Sequence, residues 1–490
     1  MPLEPVIGLE VHAQIDTRTK LFCGCSTENF GAEPNTTVCP VCMGHPGTLP
    51  VCNAVAIEKA IRAALAVGCS VAEHSHFDRK HYFYPDLPSG FQISQYDFPL
   101  ATHGSVAYDL VDDSGRIAGE RICRIHRLHV ENDAGKLMHP STGSGQAGTT
   151  LCDFNRAGTP LMEIVTEPDL RSAAEAVAFA QELRRILLAV GASTVDMFKG
   201  EMRFDASISL REAGAAKLNP RSEIKNLNSF KALERALQYE ERRLRALWEE
   251  TGGPLKGNIT VGWIDDREET KLLREKEDAQ DYRYFPEPDI PPLHCPAKMI
   301  DDIRHILPVL PRVAREKYRT LGLDEAQTFQ LMDDAPLRTI FDAVYAKTGD
   351  PRRTSGIVLT QLLGYLKAAS KGSAEGPSAD AVLALVAAID GGTISANAGK
   401  EVLEAMVQTG KSAADIIAEK GLTQISDVST IEALVRKAID ANADAVAKFK
   451  AGKTAALGAI VGWMMKESKG QADPKLVHEI LQRHLSSDIP

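Results

Sequence analysis

No apolar run in the 490-residue chain reaches the roughly 18 residues that a membrane span requires. The longest, Ala381 to Ile389 and Ala455 to Met465, stop well short. At the N-terminus, Met1-Pro2-Leu3-Glu4-Pro5 carries an acid and two prolines where a secretory signal would need a basic start and an apolar core. These absences set the expectation of a cytoplasmic protein without membrane contact. Basic charge is also scarce: 56 Lys plus Arg stand against 66 Asp plus Glu, a net of −10. A uniformly basic coat is thereby excluded, although a local basic patch is not. Missing too are a Walker loop, a nucleophile elbow and a dinucleotide-binding glycine turn set between a strand and a helix. A nucleotide would therefore be held by metal ions and by Arg or Lys side chains on a sheet.

What is present is an ordinary globular composition, 44% hydrophobic and 25% charged, in a chain long enough for about three domains. The nine cysteines are an odd number, as in a reduced compartment. Cys23, Cys25, Cys39 and Cys42 cluster, while Cys52, Cys69, Cys123, Cys152 and Cys295 are scattered. The C-x-C and C-x-x-C pairs each allow a tight turn to aim two thiolates at one ion, and four sulfurs leave no open position for substrate. The spacing thus predicts a structural zinc knuckle over residues 21–45.

The first three hundred residues read as mixed α and β, an antiparallel sheet with long loops. Strand-like runs at Val6–Val11, Arg124–Val130 and Arg203–Leu210 alternate with Gly, Pro and Asp clusters. Apolar residues at three and four spacing predict sheet-covering helices over Ala173–Val190 and Phe230–Glu249. From Asp281 the chain becomes proline-rich through Pro292, a density that predicts a rigid connector without strands. Beyond it the expectation is helical: Val313–Thr320, Asp324–Met332, Leu337–Lys347, Ile357–Ser370 and Ala379–Ile389. From about Thr393, short helical units are broken by Gly410, Gly421 and Gly452. Five lysines and one acid lie between Lys448 and Lys469, the one basic stretch of an acidic chain.

On the first strand, alternation sets Glu10 and His12 on one face, and the same spacing recurs at His129-Val130-Glu131. Either pair alone is more often a solvated strand face. With Glu163 added, the acids and His suit a shared Mg²⁺ site handling nucleotide phosphate. Two loops, Arg79–Gly90 and Asp153–Pro160, combine aromatic, proline and charged residues as ligand-contact loops do. In the second, the planar fork of Arg156 suits phosphate or carboxylate.

Together, Val6–His12, the four-cysteine knuckle, Asp153–Glu163, Glu223–Phe230 and Asp281–Asp289 resemble the GatB family, the B subunits of the tRNA-dependent amidotransferases. The resemblance continues through Lys453–Gly470, which is similar to that family's YqeY-like tail, so it covers nearly the whole chain. It implies an α+β fold: a glutamine synthetase-like cradle over 1–292, a helical domain over 293–392 and a tRNA-binding tail over 393–490. The activity it implies is that of a carbon–nitrogen ligase. ATP phosphorylates the side-chain carboxylate of Glu or Asp misacylated on tRNA(Gln) or tRNA(Asn). Ammonia from the amidase (A) subunit then displaces phosphate, and a small (C) subunit completes a heterotrimer.

Carried over by position, Glu10, His12, Glu131 and Glu163 surround Mg²⁺, the four clustered cysteines hold zinc, and Lys80 lies near the ammonia route. Arg156 is implied for nucleotide phosphate and Asp205 for a second metal, and the tail lysines, among them Lys453 and Lys466, for the tRNA backbone. This chain departs from the family pattern in having Asn132 after Glu131, His81 where Asn is common, and Phe204 and Ser207 flanking Asp205. The large insertion of the related archaeal GatE proteins is missing, which favours GatB. Two other readings stand beside this one, a non-catalytic zinc-containing tRNA-binding scaffold and a free-standing ligase acting on a small amino acid.

Overall fold

The structure is a computed structural model that describes all residues except 1, 113, 115, 139–148, 277–281, 426, 451–452, 454–455, 469–470 and 487–490. The chain divides into two compact units, Met1–Ala314 and Arg315–Pro490. No described helix is long and apolar enough to cross a membrane.

In the first unit the strands run, in chain order, β1 (Leu3–Gln14), β2 (Ser70–Val71), β3 (His74–Ser75), β4 (Asp78–His81), β5 (Phe91–Ser94), β6 (Ala101–Val111), β7 (Ile117–Asn132) and β8 (Lys136–Met138). They continue with β9 (Leu151–Asp153), β10 (Pro160–Thr166), β11 (Met202–Glu212), β12 (Ser222–Leu227), β13 (Asn258–Ile264), β14 (Glu269–Lys276), β15 (Phe285–Pro286) and β16 (Leu293–His294). Nine of them form one sheet in the order β14-β13-β12-β11-β1-β10-β7-β6-β2. The three strands anticipated from sequence lie within β1, β7 and β11. The sheet is antiparallel except between β12 and β13, which run parallel. The 22-residue helix Phe230–Thr251 lies between these two strands in the chain and carries it back across the sheet, as a parallel pair requires.

Alternation on β1 sorts its side chains by face. Ile7, Leu9, Val11 and Ala13 are fully buried, while Gly8, Glu10, His12 and Gln14 are only partly covered. The apolar face is covered by α1 (Ala54–Ala66), α2 (Ala173–Ala189) and α3 (Phe230–Thr251). On α2, Phe179, Leu183 and Leu187 recur at a four-residue spacing and are all fully buried, each contributing about 1.5–3 kcal/mol. Ser172 and Ser229 begin α2 and α3 by accepting backbone N–H bonds from Glu175 and Ala232, and Gly252 ends α3 in the left-handed conformation. The helix boundaries anticipated from periodicity therefore hold to within two residues. With one face committed to the core, the polar face of β1 and its neighbours is left to form a floor of charged side chains.

The proline-rich segment corrects one expectation. Phe285–Pro286 does form a strand, β15 pairing with β4, and just beyond the segment Leu293–His294 forms β16, which pairs with β3. Proline survives in β15 because that strand is the edge of the three-stranded sheet β15-β4-β5, where a missing N–H costs no ladder bond. Asp281 itself lies outside the described residues.

The described elements of the second unit are helices, from the helix Pro311–Thr320 that enters it to Pro474–Ser486, with one isolated bridge between Ile425 and Ala472. Asp324, Asp334, Ser378, Ser395 and Ser412 each cap a helix start, and Gly410 and Gly421 each end one in the left-handed region. The segment Gly356–Leu362, anticipated as ordinary helix, is a π-helical turn before the α-helix Leu363–Ala368. Ile431, Val435, Ile460, Met464, Val477 and Leu481 belong to a separate small core near the C-terminus. Gly452 and Lys469 lie outside the described residues.

Candidate functional site

Register brings the charged residues of five strands together on the floor. His12 on β1 stands opposite Glu163 on β10, and Glu163 in turn stands opposite His129 on β7. On the other side of β1, Glu10 pairs with Asp205 and His12 with Arg203 on β11, and Ser207 pairs with Glu223 on β12. Two clusters of metal-type donors result. In each, the nearest donor atoms of the three residues lie within 4.8 Å of one another: His12, Glu131 and Glu163 in one, and Glu10, Asp205 and Glu223 in the other.

In the first cluster, His12 Nε2 is 3.3 Å from Glu163 Oε2 and 4.0 Å from Glu131 Oε1. His129 Nε2 lies 3.6 Å from Glu131 and 3.5 Å from Glu163. Ser94 Oγ on β5 donates to Glu131 Oε2 at 3.0 Å. The Nδ1 atoms of His12 and His129 are buried without a hydrogen-bond partner. Ligands about 2.1 Å from an octahedral Mg²⁺ stand roughly 3.0 Å apart. The His12–Glu163 separation nearly meets this, whereas the His12–Glu131 separation is about 1 Å wider than it.

Burial alone would depress His12 and raise the two acids, yet the net directions are reversed. Burial is the largest single effect on His12, but Glu163, by hydrogen bond and charge, and then Glu131 hold the imidazole above its ordinary value. Burial likewise acts most strongly on Glu131 and Glu163, but His129 and Lys80 hold both carboxyls below the usual range, with His12 adding to the effect on Glu163.

The second cluster has the opposite character. Burial, then repulsion from Glu163, Asp205 and Glu223, pushes the Glu10 carboxyl upward, with His12 opposing. Lys225 Nζ stands 2.8 Å from Asp205 and 2.8 Å from Glu223, bridging two of the three carboxylates. Crowded oxygens of this kind suit a divalent cation.

Lys80 projects from β4 with its Nζ 5.1 Å from the ring centre of Tyr282 and 5.8 Å from that of Tyr82. Burial is the strongest effect on it and would lower its pKa, but Glu131, Tyr284, Glu163 and Tyr82 hold it above the ordinary value. Its partner strand is fixed by Arg79, whose fork meets Glu287 at 2.7 and 2.9 Å and reaches Asp289 at 3.2 Å.

Arg156 has turned inward. Its Nε and Nη2 donate to the carbonyls of Ala134 and Gly135 at 3.0 and 2.6 Å, and it lies 3.6 Å from Asp133. Asp133, fully buried, also accepts from Arg203 at 3.0 Å and Gln14 at 3.0 Å. Burial would raise its carboxyl, but Arg203 and Arg156 hold it far below the usual range.

The four cysteine sulfurs lie within 4.8 Å of one another. A tetrahedral zinc with bonds of about 2.3 Å sets sulfurs roughly 3.8 Å apart, and Cys39 Sγ to Cys42 Sγ is 3.9 Å. Fully buried Lys20 adds positive charge 3.6 Å from Cys42 Sγ. Beside it, burial and neighbouring thiols separate the group: Cys42 is pulled down to about 4, chiefly by a hydrogen bond from Cys23, while burial pushes Cys25 up to about 11. The donor set and spacing thus fit zinc. Asn155, in the second of the anticipated ligand loops, grips the knuckle instead, accepting from Thr37 N at 2.8 Å and donating to Glu33 O at 2.7 Å.

The structure therefore gathers Glu10, His12, Glu131, Glu163, Asp205 and Lys80 on the floor and its wall, with Glu10 beside Asp205 rather than in the His12 cluster. The cysteines stand together at the knuckle. Lys453 and Lys466 are exposed and lie in the other unit. Sequence reasoning missed Glu223, Lys225, Arg203 and Asp133 as site residues. Glu223 and Lys225 sit within a segment that carried the family resemblance, and their same-face spacing was the available signal.

An α+β sheet whose polar face brings together two groups of residues able to hold a cation has the form of a sheet-floored enzyme subunit. Residues 5–301 match the model of the GatB/GatE catalytic domain, and residues 339–485 match that of the GatB domain. The chain is 45% identical over 490 residues to the aspartyl/glutamyl-tRNA(Asn/Gln) amidotransferase B subunit of Persephonella marina, covering 99% of this chain and 100% of that one. It is 43% identical over 488 residues to the protein of the same name from Thermosynechococcus vestitus, covering 99% and 96%. The Myxococcus xanthus counterpart is 43% identical over 485 residues, covering 98% of each. The chain belongs to the GatB family, the B subunits of the tRNA-dependent amidotransferases, in the ligase class.

Proposed function

We propose that this chain uses ATP to phosphorylate the side-chain carboxylate of Glu or Asp misacylated on tRNA, and that ammonia then displaces phosphate to give the amide. The observation that carries the reading is the pair of adjoining clusters on one sheet face, His12, Glu131 and Glu163 beside Glu10, Asp205 and Glu223. Phosphoryl transfer is mainly positioning and charge neutralisation, and two cation sites a strand apart meet that need. Bound there, Mg²⁺ would neutralise the phosphate oxygens. His129 and Ser94 orient the carboxylates of the first cluster, reaching Glu131 at 3.6 and 3.0 Å. Lys80, held charged between two tyrosine rings, offers a fixed cation beside the reacting carboxylate and the path of ammonia.

An acyl phosphate is lost to water unless ammonia arrives through a closed route, which favours association with the amidase (A) subunit and a small (C) subunit in a cytoplasmic heterotrimer. On this reading residues 1–292 are a glutamine synthetase-like catalytic cradle stiffened by a zinc knuckle, 293–392 a helical domain and 393–490 a YqeY-like tail that meets tRNA. Arg156 serves by holding the carbonyls of Ala134 and Gly135, with its remaining nitrogen available to a phosphate.

The test is Glu163→Gln, assayed in the assembled complex on misacylated Glu-tRNA and Asp-tRNA. Turnover should fall by at least about 10²-fold, with tRNA binding within a few fold. Unimpaired turnover would overturn the enzyme reading in favour of the scaffold. Activity of the isolated chain on free Glu, ATP and ammonium would favour the free-standing ligase.

A further inference from the structure

We propose that Glu73, His74 and His294 form a surface site for a divalent transition-metal ion such as Zn²⁺, which clips the arm 282–295 to the wall of the cradle. The three residues stand apart from both floor clusters and from the cysteine knuckle, and their nearest donor atoms lie within 4.8 Å of one another. β16 pairs with β3 so that His294 is directly opposite His74, which sets both rings on the same face of a two-stranded ribbon. The rings are 4.9 Å apart and nearly parallel, at 6°. Glu73 Oε1 is 3.5 Å from His294 Nε2.

The backbone beneath is fixed while the side chains are free to turn. Ser75 Oγ donates to Phe98 O and accepts from Gln95 Nε2, both at 2.7 Å, and Cys295 N donates to Glu73 O at 2.8 Å. Ser75 and Cys295 are buried, whereas the side chains of His294 and Glu73 are 57% and 60% exposed. Parallel rings do not aim at one point, so a shared ion requires each to turn about its last torsion. That torsion is broad for imidazole, and an exposed ring turns at little cost. Two imidazoles and one carboxylate select Zn²⁺, Ni²⁺ or Cu²⁺ over Mg²⁺. Three protein ligands leave a position for water.

The arm so clipped carries Tyr282, which flanks Lys80, Tyr284, which packs on Tyr282 and Tyr96, and Glu287 and Asp289, which hold Arg79. It is already attached by backbone pairing through β15 and, at its far end, through β16 and the Cys295 N–Glu73 O bond. A metal at His294 would add a side-chain link to that far-end pairing and hold the tyrosine side of the floor more firmly in place.

The experiment titrates Zn²⁺ into the full chain, with the cysteine site already loaded and millimolar Mg²⁺ present, by calorimetry. Cu²⁺ electron paramagnetic resonance serves as a second probe. One further equivalent is expected, with a dissociation constant on the order of micromolar and a two-nitrogen Cu²⁺ signal. His74→Ala and His294→Ala should each weaken it at least tenfold, Glu73→Gln should weaken it less, and His12→Ala should leave it unchanged. Hydrogen exchange should slow across 282–295 on Zn²⁺ addition in the wild type but not in His294→Ala. No further equivalent, one kept in both histidine variants, or one lost in His12→Ala overturns the site. Binding without added protection of the arm overturns the clip.

Discussion

Lys225 is the residue whose chemistry most depends on its neighbours. Its ammonium bridges Asp205 and Glu223, and burial, the largest effect on it, is outweighed by those two carboxylates, so its pKa stands above the ordinary value. Replacing it by Met leaves Glu10, Asp205 and Glu223 crowded with no cation between them. Lys225→Met should therefore cost about 1–3 kcal/mol of stability without metal. Mg²⁺ should restore a larger share of that loss than it adds to the wild type, read as the Mg²⁺-dependent shift in Tm. An equal shift in both proteins would separate Lys225 from the cation site. At this scale, the sequence exposes Glu10 and His12 because they alternate on one strand, whereas Glu223 and Lys225 alternate just as cleanly on a segment that the sequence does not mark as a strand. Only the pairing of β12 with β11 tells the two cases apart.

Elements meet at a few positions where shape leaves no tolerance. Gly44, two residues beyond Cys42, has φ +65°, and a Cβ added there would lie 2.7 Å from Ser89 Cα. Gly44→Ala should cost about 1–3 kcal/mol through strain and collision. The knuckle would be pushed off the Arg79–Gly90 loop, and zinc loaded onto the four cysteines should be lost faster to a chelator. Zinc release at the wild-type rate would show that the knuckle does not need this contact.

A second joint ties β7 to the loop after β10, where Arg124 meets Asp169 at 2.6 and 2.8 Å. The hydrogen bond from Arg124 chiefly holds Asp169 below the usual range. Its contribution is present above an unfolded value of about 3.9 and is lost as pH falls through the depressed folded value. Asp169→Asn should therefore have a lower urea midpoint than wild type at pH 7, and the two midpoints should converge below about pH 4. Helices were legible because cap and period agree, as at Ser172 and Ser229. The proline-rich arm was not, because proline forbids a central strand but not an edge, and sequence alone does not say which strand is the edge.

Over the whole molecule the charge is unevenly shared. The net of −10 would repel a polyanion, but residues 421–490 hold nine Lys or Arg against eight acids. Lys453 and Lys466 are exposed there. This region includes the separate small core of Ile431, Ile460 and Leu481, so it folds around contacts of its own. That independence makes its role separable from that of the floor. If the tail meets the tRNA backbone as proposed, ending the chain after Gly421 removes phosphate contacts without touching His12, Glu131 or Glu163. For every phosphate no longer engaged, the slope of log affinity against log salt should fall by roughly 0.7–0.9. The truncated chain should accordingly bind tRNA more weakly at low salt and show a flatter salt dependence, while the sheet unit unfolds at an unchanged temperature. Replacing Lys453 and Lys466 together by Gln should reproduce part of the flattening in the intact chain. An unchanged slope in both proteins would move the tRNA-contacting surface to the first unit, where the exposed Phe83 and Tyr84 of the Arg79–Gly90 loop offer stacking faces instead of charge.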